Sequence, residues 1–287
     1  MGSRIVELLS DRYDFEKISY EDGVDISNKD QVEKVVSKSG AGIVLHLAAK
    51  TDVDSCEKDK PLGVNGSAWK INVEGTRNLV EACKKTSKKI IYISTDFVFD
   101  GNPSAGGPLM GGYVEEDALN PINWYAQTKY EGEKIVQESG ISYLICRIAF
   151  PYRANFIGKK DFVAAIRAKL ENKEKISVVE DELVTPTFID DLAFAIDVLI
   201  KNNCTGIYHL VGSSFHAPVE AAEMVADTFG LDKNLIGKTT RKEYYQGRAS
   251  RAFSLKLKND KLARLGYRMS TFEEGLKKIK EQTGLSS

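Results

Sequence analysis

The sequence predicts an α/β protein built on a doubly wound parallel sheet. Three observations carry this. Strand-length apolar runs alternate with amphipathic helical stretches at the spacing of crossover units. The runs Gly42–Ala49 and Ile90–Thr95 are close to continuously apolar, as in strands covered on both faces. The chain has 287 residues, 42% of them hydrophobic and 28% charged, which is ordinary globular composition at a length near two domains.

The elements follow in order. Ile5–Leu9 opens as a helix, with Ile5, Leu8 and Leu9 sharing a face. Phe15–Tyr20 reads as a short strand, and Lys29–Lys38 as a helix with Val32, Val35 and Val36 on one side. The strand Gly42–Ala49 leads to a long helix, Trp69–Lys85, and then to the strand Ile90–Thr95, which ends in polar residues. The stretch Gly101–Gly112, with five Gly and two Pro, is either a solvent loop or a lid over a site. It precedes the helix Ile122–Glu138. Strands follow at Ser142–Ile148, Ile176–Val179 and Gly206–Val211, with helices at Phe162–Glu171, Ile189–Lys201, Val219–Phe229 and Phe272–Thr283. In such a sheet, ligands lie beyond the carboxyl ends of the strands.

Charge and composition exclude several classes. Lys+Arg (40) and Asp+Glu (41) nearly cancel, so no electrostatic signature points to nucleic acid or an anionic membrane. The apolar runs are far shorter than the roughly 20 residues of a membrane span, and the start has no secretory pattern. The four cysteines, Cys56, Cys83, Cys146 and Cys204, have no metal-ligand or CxxC spacing, so the expectation is free thiols, no metal and a cytoplasmic location. His46 is expected in the core. Trp69 and Trp124 are expected to be packing residues, Trp124 at the edge of a site, and Lys84, Lys85, Lys88 and Lys89 a solvated helix end.

The chemistry concentrates in Tyr125-Ala-Gln-Thr-Lys129. Positions i and i+4 share a helix face, and a neighbouring ammonium lowers a phenol's pKa from its usual value near 10. Such a pair can pass a proton to or from a carbonyl or alcohol oxygen. Its context is a strand ending in Ser94-Thr95-Asp96, an earlier one ending in Leu47-Ala48-Ala49, and Asp25-Ile26 after the first strand region.

With His46-Leu-Ala-Ala49, Asn72-Val-Glu-Gly-Thr76, Tyr92-Ile-Ser-Thr95 and Tyr125-x-x-x-Lys129, the chain resembles the extended short-chain dehydrogenase/reductase family. Within it, Ala49–Glu57, Ser94–Gly101, Glu116–Tyr125 and Asp181–Thr187 look most like the dTDP-4-dehydrorhamnose reductases. The resemblance implies a Rossmann-type sheet over residues 1–150 that binds a dinucleotide. It implies a mainly substrate-binding domain over 151–287, with 187–212 returning to the sheet. Tyr125 would be the general acid, Lys129 would tune it and hold the nicotinamide ribose, and Thr95 would bond the reacting oxygen. Gly2, Asp25, Ile26, Ala48, Ala49, Lys50 and Ser94 would border the cofactor, and Asp96 and Phe150 the sugar. The substrate would be a nucleotide-linked 4-keto-6-deoxy sugar. NAD(H) is expected over NADP(H), because carboxylates in Ser19–Gly23 would repel a 2′-phosphate. A homodimer is the oligomer left open.

The chain departs from the family at its start, where Met1-Gly2-Ser3-Arg4 carries one glycine of the usual glycine-rich turn. The expectation is a sheet lacking the usual first strand, from a late start or a fragment. Glu182 and Val184 stand where the subfamily has Gln and Gly. Alternatives are a sugar-nucleotide epimerase, a 4,6-dehydratase, which Phe97 disfavours because it cannot move a proton, and a non-catalytic subunit resembling the methionine adenosyltransferase beta subunit.

Overall fold

The computed structural model describes residues 1–102, 111–154 and 160–284. In chain order, the helices are α1 (Gly2–Leu9), α2 (Lys29–Lys38), α3 (Val53–Asp59), α4 (Ser67–Trp69), α5 (Gly75–Lys85), α6 (Trp124–Gln137), α7 (Phe162–Glu171), α8 (Ile189–Lys201), α9 (Pro218–Phe229), α10 (Arg241–Tyr244), α11 (Asp260–Ala263) and α12 (Phe272–Gln282). The strands are β1 (Ile43–His46), β2 (Lys89–Thr95), β3 (Tyr143–Ile148), β4 (Pro151–Tyr152), β5 (Ile176–Val179), β6 (Thr187–Phe188), β7 (Gly206–His209) and β8 (Ile236–Thr239).

The main sheet is parallel, in the order β1-β2-β3-β7. Its central strands β2 and β3 are buried on both faces because their two side-chain sets meet different helices. On one face Ile91, Ile93, Leu144, Cys146 and Ile148 pack with Ile5 and Leu9 of α1 and Leu192, Ile196 and Leu199 of α8. On the other, Ile90, Tyr92 and Ile145 pack with Val32 and Val36 of α2, Leu79 and Val80 of α5 and Val136 of α6. This explains why β2 reads as an unbroken apolar run. Fully burying Ile5 and Leu9 contributes about 1.5–3 kcal/mol each. Arg4 adds a two-pronged ion pair to Asp190 of α8, and Tyr13 donates to Asp197 at 2.7 Å.

Beyond β3 the chain forms two short parallel pairs, β4 with β6 and β5 with β8. Tyr152, Phe188, Phe272 and Leu276 fill the core beside them. Among the described residues no helix is long and apolar enough to cross a membrane.

Several expectations change. Phe15–Tyr20 is irregular, not a strand. A strand's amides and carbonyls need a neighbouring ladder, and β1, at the sheet edge, pairs with β2 alone among the described residues. The Trp69–Lys85 helix runs from Ser67 through a π-helical turn at Lys70–Glu74. Lys88 and Lys89 are not a solvated patch. The Lys88 ammonium donates to the Ser39 and Ala41 carbonyls, and the Lys89 ammonium to the Cys204 carbonyl, stapling loops at the amino ends of the strands. Most of the proposed lid, residues 103–110, lies outside the described residues.

Candidate active site

The site forms where β2 runs out against the first turn of α6. Asn123 caps α6 by accepting from the Ala126 amide at 2.9 Å, and its own amide donates to the Ser250 carbonyl at 3.0 Å. This fixes Tyr125, one residue into the helix, over the end of the strand. The phenol is buried and close enough to the Thr95 hydroxyl to be held down in pKa by it, against the larger effect of burial. Phe97 stands edge-on to its ring, with centroids 6.0 Å apart. Burial, followed by the nearby Asp96, pushes the phenol above its usual pKa. Tyr125 therefore carries its proton at neutral pH.

Lys129 lies one turn further on. Its ammonium donates to the Ile93 carbonyl at 2.8 Å and sits 4.0 Å from the centroid of the Tyr92 ring. Burial lowers its pKa to about 7. The i,i+4 spacing does place it on the face of Tyr125. Burial, however, and not the lysine, sets the phenol's proton affinity here. Gly132 permits this geometry, since a Cβ there would overlap the Tyr92 hydroxyl, which itself donates to the Lys129 carbonyl. One more turn along, Glu133 forms a fully buried two-pronged pair with Arg147 of β3, at 3.0 and 2.8 Å.

Asn72, in the π-helical turn, ties the remaining pieces together. Its carbonyl accepts from the Lys50 amide at 2.8 Å. Its amide donates to the Lys50 carbonyl at 3.0 Å and to Thr128 of α6 at 2.9 Å. The Ala48–Lys50 backbone is thereby held beside α6. The extra residue of a π turn, a feature common at functional sites, turns Asn72 inward. Asn72 was visible in the sequence only as part of a motif, with no role attached. The Lys50 ammonium is taken up by Asp59 (2.8 Å) and Ser67 (2.7 Å), so this residue offers its backbone to the site. Gly2, at the start of α1, lies against Leu47, where a Cβ would come 3.1 Å from the leucine side chain.

Asp25 and Ile26 sit apart, before α2. The Asp25 carboxylate accepts from the Ser27 amide and hydroxyl, both at 2.8 Å, and Ile26 packs where Gly75 leaves room. Phe150 follows β3 in a left-handed conformation (φ 40°), edge-on to Phe162. A bulky residue there is strained, and such strain gathers at functional sites. His46 is buried, as expected, and bonds Thr76 at 3.0 Å. Trp124 stacks on Trp69, with centroids 5.8 Å apart.

Asp96 is 1% exposed. Its Oδ1 accepts from Thr95 at 2.9 Å, while its Oδ2 has no partner. The buried Ser94 hydroxyl is likewise unpartnered. Two buried polar atoms without a protein partner thus stand at the carboxyl end of β2, and the hydroxyl groups of a nicotinamide ribose or a keto sugar suit them. Among the described residues no cluster of His, Cys, Asp and Glu suits a metal ion.

Comparison with known proteins agrees with this geometry. The pattern of the RmlD substrate binding domain matches residues 1–284. A dTDP-4-dehydrorhamnose reductase of Aggregatibacter actinomycetemcomitans is 28% identical over 74% of this chain and 70% of its own length. The solved dTDP-4-dehydrorhamnose reductase of Bacillus anthracis, in complex with NADP, superposes with a TM-score of 0.87 at 31% identity, covering 98% of this chain and 95% of that one. A UDP-glucose 4-epimerase from Thermus thermophilus, in complex with NAD, is 21% identical with a TM-score of 0.80 over 100% and 96% of the two chains, and shares the fold. The expected resemblance and the Rossmann-type sheet are thus borne out, and the chain belongs to the RmlD substrate-binding-domain family.

Proposed function

We propose that this chain is an oxidoreductase that uses a nicotinamide cofactor to reduce a nucleotide-linked 4-keto-6-deoxy sugar, the reaction type named for its dTDP-4-dehydrorhamnose reductase relatives. One observation carries the proposal: the buried, protonated phenol of Tyr125 stands beside Thr95 at the carboxyl end of β2, one helical turn before the buried Lys129, whose ammonium donates to the Ile93 carbonyl of the same strand.

The reduced cofactor, when bound, supplies a hydride to carbon 4 of the sugar. Thr95 and Tyr125 bond the keto oxygen. As charge grows on that oxygen, Tyr125 releases its proton to it. The phenol's raised proton affinity suits a donor that must hold its proton until that moment. Lys129 bonds the ribose and places positive charge below the phenolate that forms. Ala48, Ala49 and the Lys50 backbone, held by Asn72, border the nicotinamide, and Ser94 offers it a hydroxyl. Gly2, Asp25 and Ile26 border the rest of the dinucleotide, and Phe150 and Asp96 the sugar. Residues 1–150 carry the dinucleotide and most of 151–287 the sugar nucleotide. The carboxylates of Glu21, Asp22 and Asp25 favour NADH over NADPH by repelling a 2′-phosphate.

The test is keto-sugar-dependent oxidation of NADH and of NADPH by the wild type and Tyr125→Phe. The variant loses one hydroxyl and no backbone contact, so the rate falls about 10²–10⁴-fold with cofactor binding unchanged. The wild type has the higher kcat/KM with NADH. More than half the wild-type rate in the variant contradicts the role of Tyr125, and equal specificity for the two cofactors contradicts the NADH preference.

A further inference from the structure

Lys129 is a buried cation, 3% exposed, that forms no ion pair among the described residues. The acid one turn along its helix, Glu133, is engaged in the two-pronged pair with Arg147. What faces the ammonium is a ring. Lys129 Nζ lies 4.0 Å from the centroid of Tyr92, a fully buried residue of β2. The Tyr92 hydroxyl donates to the main-chain carbonyl of the same lysine at 3.3 Å, so the two residues meet twice, once through the side chain and once through the backbone of α6. Gly132 allows this approach, because a Cβ there would overlap the hydroxyl. His46 of β1 packs on the Tyr92 ring with centroids 5.4 Å apart and bonds Thr76 at 3.0 Å.

A buried charge without a partner is costly. The face of an aromatic ring carries negative charge and attracts a cation within about 6 Å of its centroid, most strongly where water is excluded. Both conditions hold at Tyr92. A carboxylate in the same place would bind the ammonium through its oxygens. A ring attracts the charge without an acceptor oxygen that competes for the three N–H groups of an ammonium. The other titratable and charged groups around Lys129 are Glu133 and Tyr125 of α6, Arg147 of β3, bound to Glu133, and His46 of β1. Burial, and then the charge of Lys129, hold His46 at about 3, so it is neutral and does not repel the ammonium.

We propose that Tyr92 is a positioning residue whose ring face, in place of a counter-ion, keeps Lys129 charged and seated at the carboxyl end of β2. The role in turnover rests on the reading of Lys129 as the residue that bonds the nicotinamide ribose below the phenolate. Burial lowers the lysine to about 7, and the charge of Glu133 opposes that fall. The ring opposes it as well, since it attracts the ammonium and not the neutral amine. Its hydroxyl has the separate task of fixing the ring against α6.

The test is an NMR titration of the full chain, with the lysine Cε carbons labelled with carbon-13. Lys129→Met assigns the Lys129 signal, which in the wild type titrates at about pH 7. In Tyr92→Leu, which removes the ring, the midpoint falls by about one pH unit. In Tyr92→Phe, which keeps the ring and loses the hydroxyl, it falls by less than about half as much. If Tyr92→Leu does not fold, 3,4,5-trifluorophenylalanine at position 92 takes its place. It keeps the shape of the ring but draws charge from its face, so the midpoint falls below that of Tyr92→Phe. A midpoint unmoved in folded Tyr92→Leu, equal falls in Tyr92→Leu and Tyr92→Phe, or a fluorinated ring that matches Tyr92→Phe overturns the proposal. Turnover separates the two readings. The pH at which kcat/KM for the keto sugar falls on the alkaline side moves down in Tyr92→Leu with the Lys129 midpoint, and moves less in Tyr92→Phe. An alkaline limb that stays in place while the Lys129 midpoint moves overturns the role in turnover. If the titration behaves as expected but the wild type reduces no keto sugar, the reduction reading falls and the hold of Tyr92 on Lys129 stands.

Discussion

Lys129 shows how a single residue trades stability for a site. Its ammonium is buried with one carbonyl and one ring for company, and its pKa drops from 10.5 to about 7. The folded-state pKa lies below the unfolded one, so between about pH 7 and 10.5 the unfolded chain binds the extra proton and stability rises with pH. Below about 7 both states are charged and the cost of burial is felt in full. Lys129→Met removes the charge. The variant is expected to be inactive yet more stable than the wild type at pH 6–7. The difference should shrink as pH rises, by up to about 1.4 kcal/mol per pH unit. Denaturant unfolding of both proteins from pH 6 to 9.5 measures it, and a difference that does not vary with pH would contradict a buried ammonium. Tyr125, Lys129 and Thr95 were legible in the sequence because helix spacing and a strand end are local features. The pairing of Glu182 with Tyr245 was not, since it joins residues 63 apart through loops without periodicity. Glu182 stood out only as an unexpected acid.

At the scale of elements, α6 carries both Tyr125 and Lys129 and also serves as a structural strut. Its Glu133 meets Arg147 of β3 in a pair with side-chain exposures of 0% and 1%. Arg147 also donates to the Glu115 carbonyl at 3.1 Å, and Glu115 in turn accepts from the His209 amide of β7 at 2.9 Å. Glu133→Ala leaves the guanidinium buried without its counter-charge and is expected to cost about 3–5 kcal/mol. Replacing both residues with apolar ones of similar volume should cost less. Urea unfolding of the single and double variants checks this, and a single-variant loss below about 1 kcal/mol would show that water or another group takes over. The long elements were readable from their apolar period. The two-residue strands β4 and β6 were not, because they carry too little pattern, and they exist through pairing across the chain. Phe15–Tyr20 shows the converse. Its β-forming composition does not make a strand where no neighbour supplies a ladder.

For the whole molecule, the parallel order β1-β2-β3-β7 gathers the carboxyl ends of β1, β2 and β3 at one edge. The small residues after β1, the Ser94-Thr95-Asp96 end of β2 and the strained Phe150 after β3 come together there, with α6 laid across β2. A sheet of this kind serves reductases, epimerases and dehydratases alike, so the fold does not choose among them. The fate of the hydride does. A reductase leaves the cofactor's hydrogen on its product, whereas an epimerase or dehydratase returns it and consumes no cofactor. The direct measurement is turnover of a dTDP-4-keto-6-deoxy sugar with cofactor deuterated at the transferring position, followed by NMR of the sugar product. The account predicts one deuterium at carbon 4 for each cofactor oxidised, with about a hundredth of the labelled product or less from Tyr125→Phe over the same time. A product without deuterium at carbon 4, or sugar converted with no net oxidation of cofactor, would contradict it.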